Sequence, residues 1–168
     1  MQKYLFSVLC LGLYATVGYA QTTIKLRNPS FEDMPGPAKV PTNWTDCGFQ
    51  GQTPPDIQPN PSFQVTTKPQ QGNTYLGLVT REDETWEGVS QKLSLPMEAD
   101  HCYDMSLYLA RSNNYVSISA MSGMLLNFNK AVLLRIYGGN SECDRREKLY
   151  ESPAVEHTSW KAYNIKLN

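Results

Sequence analysis

CYDMSLYLAR, at residues 102–111, is the stretch that decides the fold. Its large apolar residues occupy alternate positions, and successive side chains of a β-strand point to opposite faces of a sheet. One face of this strand collects Tyr103, Met105, Leu107 and Leu109. That face needs cover, and because no other segment has a convincing helical pattern, we expect a second sheet to cover it. The sequence therefore predicts an all-β protein built as an antiparallel β-sandwich.

Alternating or β-branched segments recur on both sides of this strand. They lie at residues 22–27, 74–81, 87–93, 115–120, 131–137, 148–152 and 160–167. Between residues 29 and 69 the chain instead carries nine of its eleven prolines, which exclude continuous helix or central strand over much of that region. We predict a long ordered loop or short edge pieces there, pinned to the sandwich by aromatic residues such as Trp44 and Phe63.

The first twenty residues are typical of a secretory signal peptide. Lys3 precedes an apolar run at residues 4–17, and the small residues Gly18 and Ala20 suit cleavage before Gln21. The run is shorter than the ~20 residues that a membrane span needs, so we expect no membrane span after cleavage. The sequence predicts a signal peptide at residues 1–20, a single domain at residues 21–168, and a protein that is secreted or held at the outer cell surface.

The charge balance argues against a nucleic-acid partner. The chain has 15 Lys and Arg residues against 16 Asp and Glu residues, a formal net charge of −1. Nucleic acids and anionic membranes both favour concentrated basic charge. The nearest basic cluster, at residues 145–148, is interrupted by Glu147, and we interpret it as a solvated turn.

Three cysteines follow the predicted cleavage site, and export permits a disulfide. Closing either Cys47–Cys102 or Cys102–Cys143 contributes about 4 kcal/mol by chain entropy, so energetics do not choose between the pairs. We favour Cys102–Cys143, which ties the start of the deciding strand to the loop after Gly138 and Gly139. Three reduced thiols are the alternative.

Several motifs, taken together, resemble those of a known group of domains. They are NPSFE at residues 28–32, PTNWTDCG at 41–48, TPPDIQP at 53–59, YLGLVTR at 75–81, TWEGVSQKL at 85–93, CYDMSLYLAR at 102–111 and LRIYGG at 134–139. The combination resembles the jelly-roll domains of exported surface proteins from gliding-type Gram-negative bacteria, which are similar to galactose-binding-like and carbohydrate-binding-module sandwiches. The resemblance implies a jelly roll of eight or nine antiparallel strands, often one module of a longer exported protein, without a catalytic role of its own.

The resemblance also bears on the end of the chain and on metal binding. In related domains two more strands follow the one that resembles residues 160–167, and the last carries an aspartate. We therefore expect this domain to lack its last strands and to be joined to downstream domains of the same protein. Related domains often hold a structural Ca²⁺ between that aspartate and an acidic residue at the position of Glu32. Since the aspartate is not in the sequence and Ca²⁺ prefers six to eight oxygen ligands, we favour an exposed turn role for Glu32 and expect no cofactor.

A sugar site needs flat aromatic faces with a few polar groups beside them. The candidate ligand-binding residues are three aromatic ones and two charged ones. They are Trp86, Tyr108, Tyr137, Arg81 and Glu87. Packing is the alternative role of each aromatic residue, and an ion pair with each other is the alternative for Arg81 and Glu87.

Enzymatic motifs are lacking. The sequence contains no HExxH metal helix, no GxSxG elbow and no phosphate-binding glycine loop. The acidic run at residues 82–84 has the residue types of a glycosidase carboxylate pair, but we interpret it as a solvated turn. We therefore expect no enzyme but an exported, non-catalytic domain that binds a glycan or another cell-surface component. A structural or adhesive spacer is the second hypothesis and a small polysaccharide hydrolase the third.

Overall fold

The regular structure is almost entirely β-strand. The structure, a computed structural model, describes residues 22–167, so the predicted signal peptide lies outside the described residues. Within them lie ten strands and one short 3-10 helix (Pro61–Phe63), and every strand pair is antiparallel. The all-β prediction is confirmed. The strands join two by two, and this pairing does not by itself establish two facing sheets, so the sandwich and the jelly roll stay predictions.

The five pairs combine near and distant parts of the chain. They are β1 (Thr45–Asp46) with β4 (Val89–Ser90), β2 (Asp56–Gln58) with β3 (Tyr75–Gly77), β5 (Tyr103–Leu109) with β10 (Lys161–Leu167), β6 (Val116–Ile118) with β7 (Leu125–Asn127), and β8 (Arg135–Gly138) with β9 (Glu147–Glu151). In the described range, no helix is long and apolar enough to cross a membrane.

The deciding strand is β5, and its two faces differ as predicted. Burial alternates along its whole length, with the predicted core side half-buried and the other side exposed. It pairs over all seven residues with β10, where Met105 lies opposite Ile165 and Tyr103 opposite Leu167. Ile165 and Leu167 are both buried. The longest strand pair therefore supplies an apolar face, as the alternation indicated.

The segment at residues 22–27 is not a strand, which corrects the sequence prediction. The backbone amides of Lys25 and Arg27 donate instead to the side chains of Ser94 and Gln91, at 2.9 and 2.8 Å. Alternation predicts a strand only where a neighbouring backbone is free to pair. Here side-chain oxygens accept the hydrogen bonds of these backbone amides, so the segment forms no backbone ladder with a neighbouring strand.

The proline-rich region contains a buried strand rather than only loop and edge pieces. Every residue of β2 is buried, although prolines lie immediately before and after it. Ile57 is hydrogen-bonded to Gly36 on one side, N to O at 3.0 Å in both directions, and faces Leu76 of β3 on the other. The prolines flank the paired positions without occupying them, which is why β2 is compatible with a central place. Of the aromatic residues predicted to pin this region, Trp44 packs on Phe31 within the region itself, whereas Phe63 stacks on Tyr115, which directly precedes β6.

The interior is unusually polar. The buried apolar residues are Ile57, Val65, Val79, Val155, Ile165 and Leu167, whereas the buried polar ones are Asp56, Gln58, Asn60, Thr74, Glu87, Ser119 and Ser152. Buried polar groups are generally hydrogen-bonded, because leaving them unpaired costs free energy; Gln58 Oε1 and Arg81 Nη1 are exceptions among the described residues. The buried polar residues are therefore the part of the interior held by directional hydrogen bonds.

The disulfide joins Cys47 to Cys143, so the predicted Cys102–Cys143 pair is wrong. The two Cα atoms lie 5.2 Å apart across a sequence separation of 96 residues. Cys47 directly follows β1, and the amide of Cys143 donates to the Ser90 hydroxyl of β4 at 3.0 Å, which holds the turn between β8 and β9 against this pair. Cys102 lies outside that contact, before β5, and is exposed with a free thiol.

Candidate functional site

A cavity of about 170 Å³ lies between the loop that follows β3 and the β6–β7 hairpin. Its polar wall comes from residues 52–53, 81–83 and 87. Its apolar wall comes from the hairpin and the residue just beyond it, mainly Ile118, Ala120, Met121 and Phe128. This is a concave site with convergent polar groups against an apolar surface, the general form of a ligand site.

A tight turn after β3 brings two of the predicted ligand residues together. The amide of Arg81 donates to the Thr85 carbonyl at 2.8 Å, and the amide of Glu87 donates to the Val79 carbonyl at 3.0 Å. Across this turn the Arg81 guanidinium donates to the Glu87 carboxylate, and its Nη2 also reaches the Thr53 hydroxyl at 3.0 Å. Arg81 and Glu87 thus contact each other, as the pairing alternative expected, and both residues also line the cavity.

Behind this pair lies a second buried carboxylate. Asp56 of β2 is 4% exposed and accepts a hydrogen bond from the Tyr115 hydroxyl. The amide of Ala38 donates to its other oxygen at 2.8 Å. Tyr115, just before β6, stacks on Phe63 with 4.9 Å between ring centroids. The contact therefore connects the β6–β7 hairpin to the buried strand β2.

Burial dominates the electrostatics of this cluster. It raises the pKa of Glu87 to about 8, against the opposing effect of the Arg81 guanidinium. It also raises the pKa of Asp56, although the Tyr115 hydroxyl bond acts the other way. The pKa of Tyr115 is raised by burial first and then by its bond to Asp56. Two buried carboxyl groups face one guanidinium, so retaining a proton removes the excess negative charge.

The rim of the cavity carries two further carboxylates. Glu82 accepts a hydrogen bond from the Ser119 hydroxyl at 2.6 Å, and Asp83 accepts one from Gln52 Nε2 at 2.9 Å. Hydrogen bonds from Thr85 lower the pKa of Asp83, so this group is charged at neutral pH. Glu82 and Asp83 are exposed as the solvated-turn interpretation expects, but they also border the cavity.

Trp86 lies next to the cavity without lining it. Its side chain is 41% exposed and meets Phe49 edge to face, with 4.7 Å between ring centroids. The guanidinium carbon of Arg145 lies 5.4 Å from the Trp86 ring, and Arg145 donates to the carbonyl of Cys47 at 2.9 Å. Trp86 is therefore fixed to the disulfide region.

The other two predicted aromatic residues lie elsewhere. Tyr108 is on the exposed face of β5, opposite Ala162 of β10. Tyr137 is on β8, next to the register shift between β8 and β9. Neither borders the cavity, so the structure does not bring them together with Arg81 and Glu87.

Glu32 is half-buried and hydrogen-bonded rather than an exposed turn residue. Its carboxylate accepts hydrogen bonds from the amide of Asn73 at 3.0 and 3.2 Å and from the Thr74 side chain at 3.4 Å. Between residues 22 and 167, no three His, Cys, Asp or Glu side chains group closely enough to suggest a metal site. Glu32 therefore has a structural role here, which corrects the exposed-turn prediction, and a calcium ligand at this position stays the alternative that the resemblance implied.

Sequence reasoning missed Asp56 altogether and did not assign Tyr115, Glu82 or Asp83 to a site. The signal for Asp56 was a charged residue placed between two proline pairs beside Ile57, where a short strand must bury or solvate it. Its partner, Tyr115, lies 59 residues away. No local pattern links them.

Comparisons of the chain with protein-family models, with curated proteins and with solved structures find no match. Function must therefore be argued from the cavity itself.

Proposed function

We propose that this protein is an exported, non-catalytic binding module for a glycan or another cell-surface component, and that the cavity beside β6–β7 is its binding site. The observation that carries the proposal is the cavity's composition. Rim carboxylates and an amide face one side, and Phe128 with apolar hairpin residues faces the other. A sugar ring has the same division, with hydroxyl groups at its edges and C–H groups on its faces.

The charges at the rim favour a neutral, hydroxyl-rich ligand over an anionic one. Arg81 is the only basic residue among those lining the cavity, and its Nη2 is engaged by Glu87 and Thr53. Glu82 and Asp83 remain as acceptors at the rim. Sugar hydroxyls can donate to such carboxylates, whereas phosphate or carboxylate groups would be repelled.

The cavity is also small. Its volume of about 170 Å³ is below the ~300 Å³ lower limit of sites that enclose drug-sized ligands. It therefore suits one sugar unit or the exposed end of a longer glycan. Behind it, the hydrogen-bonded cluster of Asp56, Tyr115, Arg81 and Glu87 holds the walls in place before a ligand arrives.

A glycan array on the mature domain tests this proposal, with Glu82→Gln as the site variant. Hydrogen bonds to charged groups contribute about 1.5–3 kcal/mol, so we expect Glu82→Gln to weaken binding about tenfold or more. Glu84→Gln is the matched control, because Glu84 belongs to the same turn and is exposed but does not border the cavity. Absence of binding to any glycan by the wild type would support the spacer hypothesis instead, and equal loss in both variants would contradict the cavity as the binding site.

Absence of catalysis is tested on the same ligands. We expect no new reducing ends when the wild type is incubated with any polysaccharide that it binds. Turnover that disappears in Asp83→Asn would contradict the proposal and support the hydrolase hypothesis.

A further inference from the structure

The β6–β7 hairpin exposes an uncharged apolar surface. Residues 112–129 contain no Asp, Glu, Lys or Arg. Within this stretch Ile118, Met121, Met124 and Leu125 are each between 61% and 67% exposed. Single exposed apolar residues are normal, but four large ones on one hairpin mark an interaction surface.

The exposure is built into the hairpin rather than left by a loose loop. Ser119 is buried, and its hydroxyl donates to Glu82 while accepting from the amides of Met121 and Ser122, both at 3.2 Å. The backbone of Ser119 donates to the Met124 carbonyl at 2.8 Å. One buried hydroxyl thus fixes the turn that presents both methionines, and ties it to the polar wall of the cavity.

The apolar surface continues out of the cavity. Ile118 and Met121 line the cavity and are also largely exposed to solvent. Leu125 lies directly opposite Ile118 across the hairpin, so the two side chains share one face. A ligand that occupies the cavity and extends along the hairpin therefore passes from a polar to an apolar environment.

We propose that the cavity recognises an amphiphilic glycan: a neutral sugar unit in the cavity with a hydrocarbon chain laid along Ile118, Met121 and Leu125, as in a glycolipid. The inference rests on the proposed function. The rim carboxylates of Glu82 and Asp83 disfavour the carboxylate of a free fatty acid and the phosphate group of a phospholipid, because both groups are anionic. The uncharged hairpin is suited to hydrocarbon, in which a charged group would lose its hydration.

Binding of a homologous series of alkyl glycosides tests the inference. We would measure methyl, hexyl and octyl β-D-glucosides and β-D-galactosides by titration calorimetry below their critical micelle concentrations. Each fully buried methylene contributes about 0.8 kcal/mol, so affinity should rise up to about fourfold per methylene between the hexyl and octyl compounds. In the double variant Met124→Gln, Leu125→Gln the rise should largely disappear, while binding of the methyl glycoside stays the same because neither residue lines the cavity.

Met34→Gln is the matched control, because Met34 is an exposed methionine that does not border the cavity. If free glycans or methyl glycosides bind in a Glu82-dependent way and chain length has no effect, the amphiphile inference fails and the proposed function stands. If no glycoside and no arrayed glycan binds, both fail. If the Met124→Gln, Leu125→Gln variant instead abolishes self-association of the wild type in sedimentation, the hairpin contacts a second copy and the inference is overturned.

Discussion

Removal of the Cys47–Cys143 disulfide should destabilise the protein by about 4–5 kcal/mol. The bond closes a loop over a sequence separation of 96 residues. Loss of chain entropy in the unfolded state gives about 4.7 kcal/mol for a loop of about 100 residues. Domains of this size are typically stable by only 5–15 kcal/mol, so the bond accounts for a large part of the total.

Urea unfolding of the double variant Cys47→Ser, Cys143→Ser measures this effect. With a slope of about 2 kcal/mol per molar urea, the midpoint should fall by about 2 M relative to the oxidised wild type. Cys102→Ser is the control, because Cys102 is exposed and outside the disulfide, and it should change stability by less than about 0.5 kcal/mol. A comparable loss in Cys102→Ser, or a Cys102–Cys143 peptide in a non-reducing digest, would refute the assignment.

Two further predictions concern a buried carboxyl group and two glycines with positive φ. Because the pKa of Glu87 is raised from 4.5 to about 8, the folded state retains a proton that the unfolded state releases. The Glu87 contribution to stability is therefore fully present below about pH 4.5 and decreases by up to about 1.4 kcal/mol per pH unit as pH rises to about 8. Urea midpoints at pH 5 to 8 should show this decrease in the wild type and less of it in Glu87→Gln; parallel profiles would contradict the prediction. The second prediction compares Gly72 with Gly123, which both have a φ of +68°. A Cβ added at Gly72 would lie 1.8 Å from Glu32 Oε1. A Cβ added at Gly123 would have no atom within 4 Å. Both Ala variants incur about 1–2 kcal/mol for the left-handed backbone, and Gly72→Ala should unfold at the lower temperature because of the added clash; equal melting temperatures would show that Glu32 moves away at no cost.

Local periodicity predicted most of the strands. The segments proposed at residues 102–111, 148–152 and 160–167 correspond to β5, β9 and β10 within one or two residues. These are the places where alternation is regular and a partner backbone is available. Of the strand predicted at residues 131–137, only the second half is strand in the structure, because β8 begins at Arg135. The missed strands β1, β2 and β7 have two or three residues each, too short for a period to be read.

The candidate site was predicted in part. Arg81 and Glu87 were singled out from sequence because they flank one short turn, and the structure places both at the cavity. Trp86 was predicted as an aromatic face for a sugar, and it lies beside the cavity without lining it. Tyr108 and Tyr137 were chosen as aromatic residues on predicted strands. Strand periodicity does not tell where on the molecule a strand lies, so it could not show that both residues are away from the cavity.

What the sequence determined by itself is the all-β class and the two-faced character of β5, because a period of two residues is a property of the local backbone. What only the tertiary structure decided are contacts between distant residues: Cys47 with Cys143, Tyr115 with Asp56, and Ser119 with Glu82. Loop closure costs nearly the same free energy for competing partners at these separations, so sequence spacing cannot rank them. The choice follows from which strands pair and which polar groups must be satisfied when they are buried.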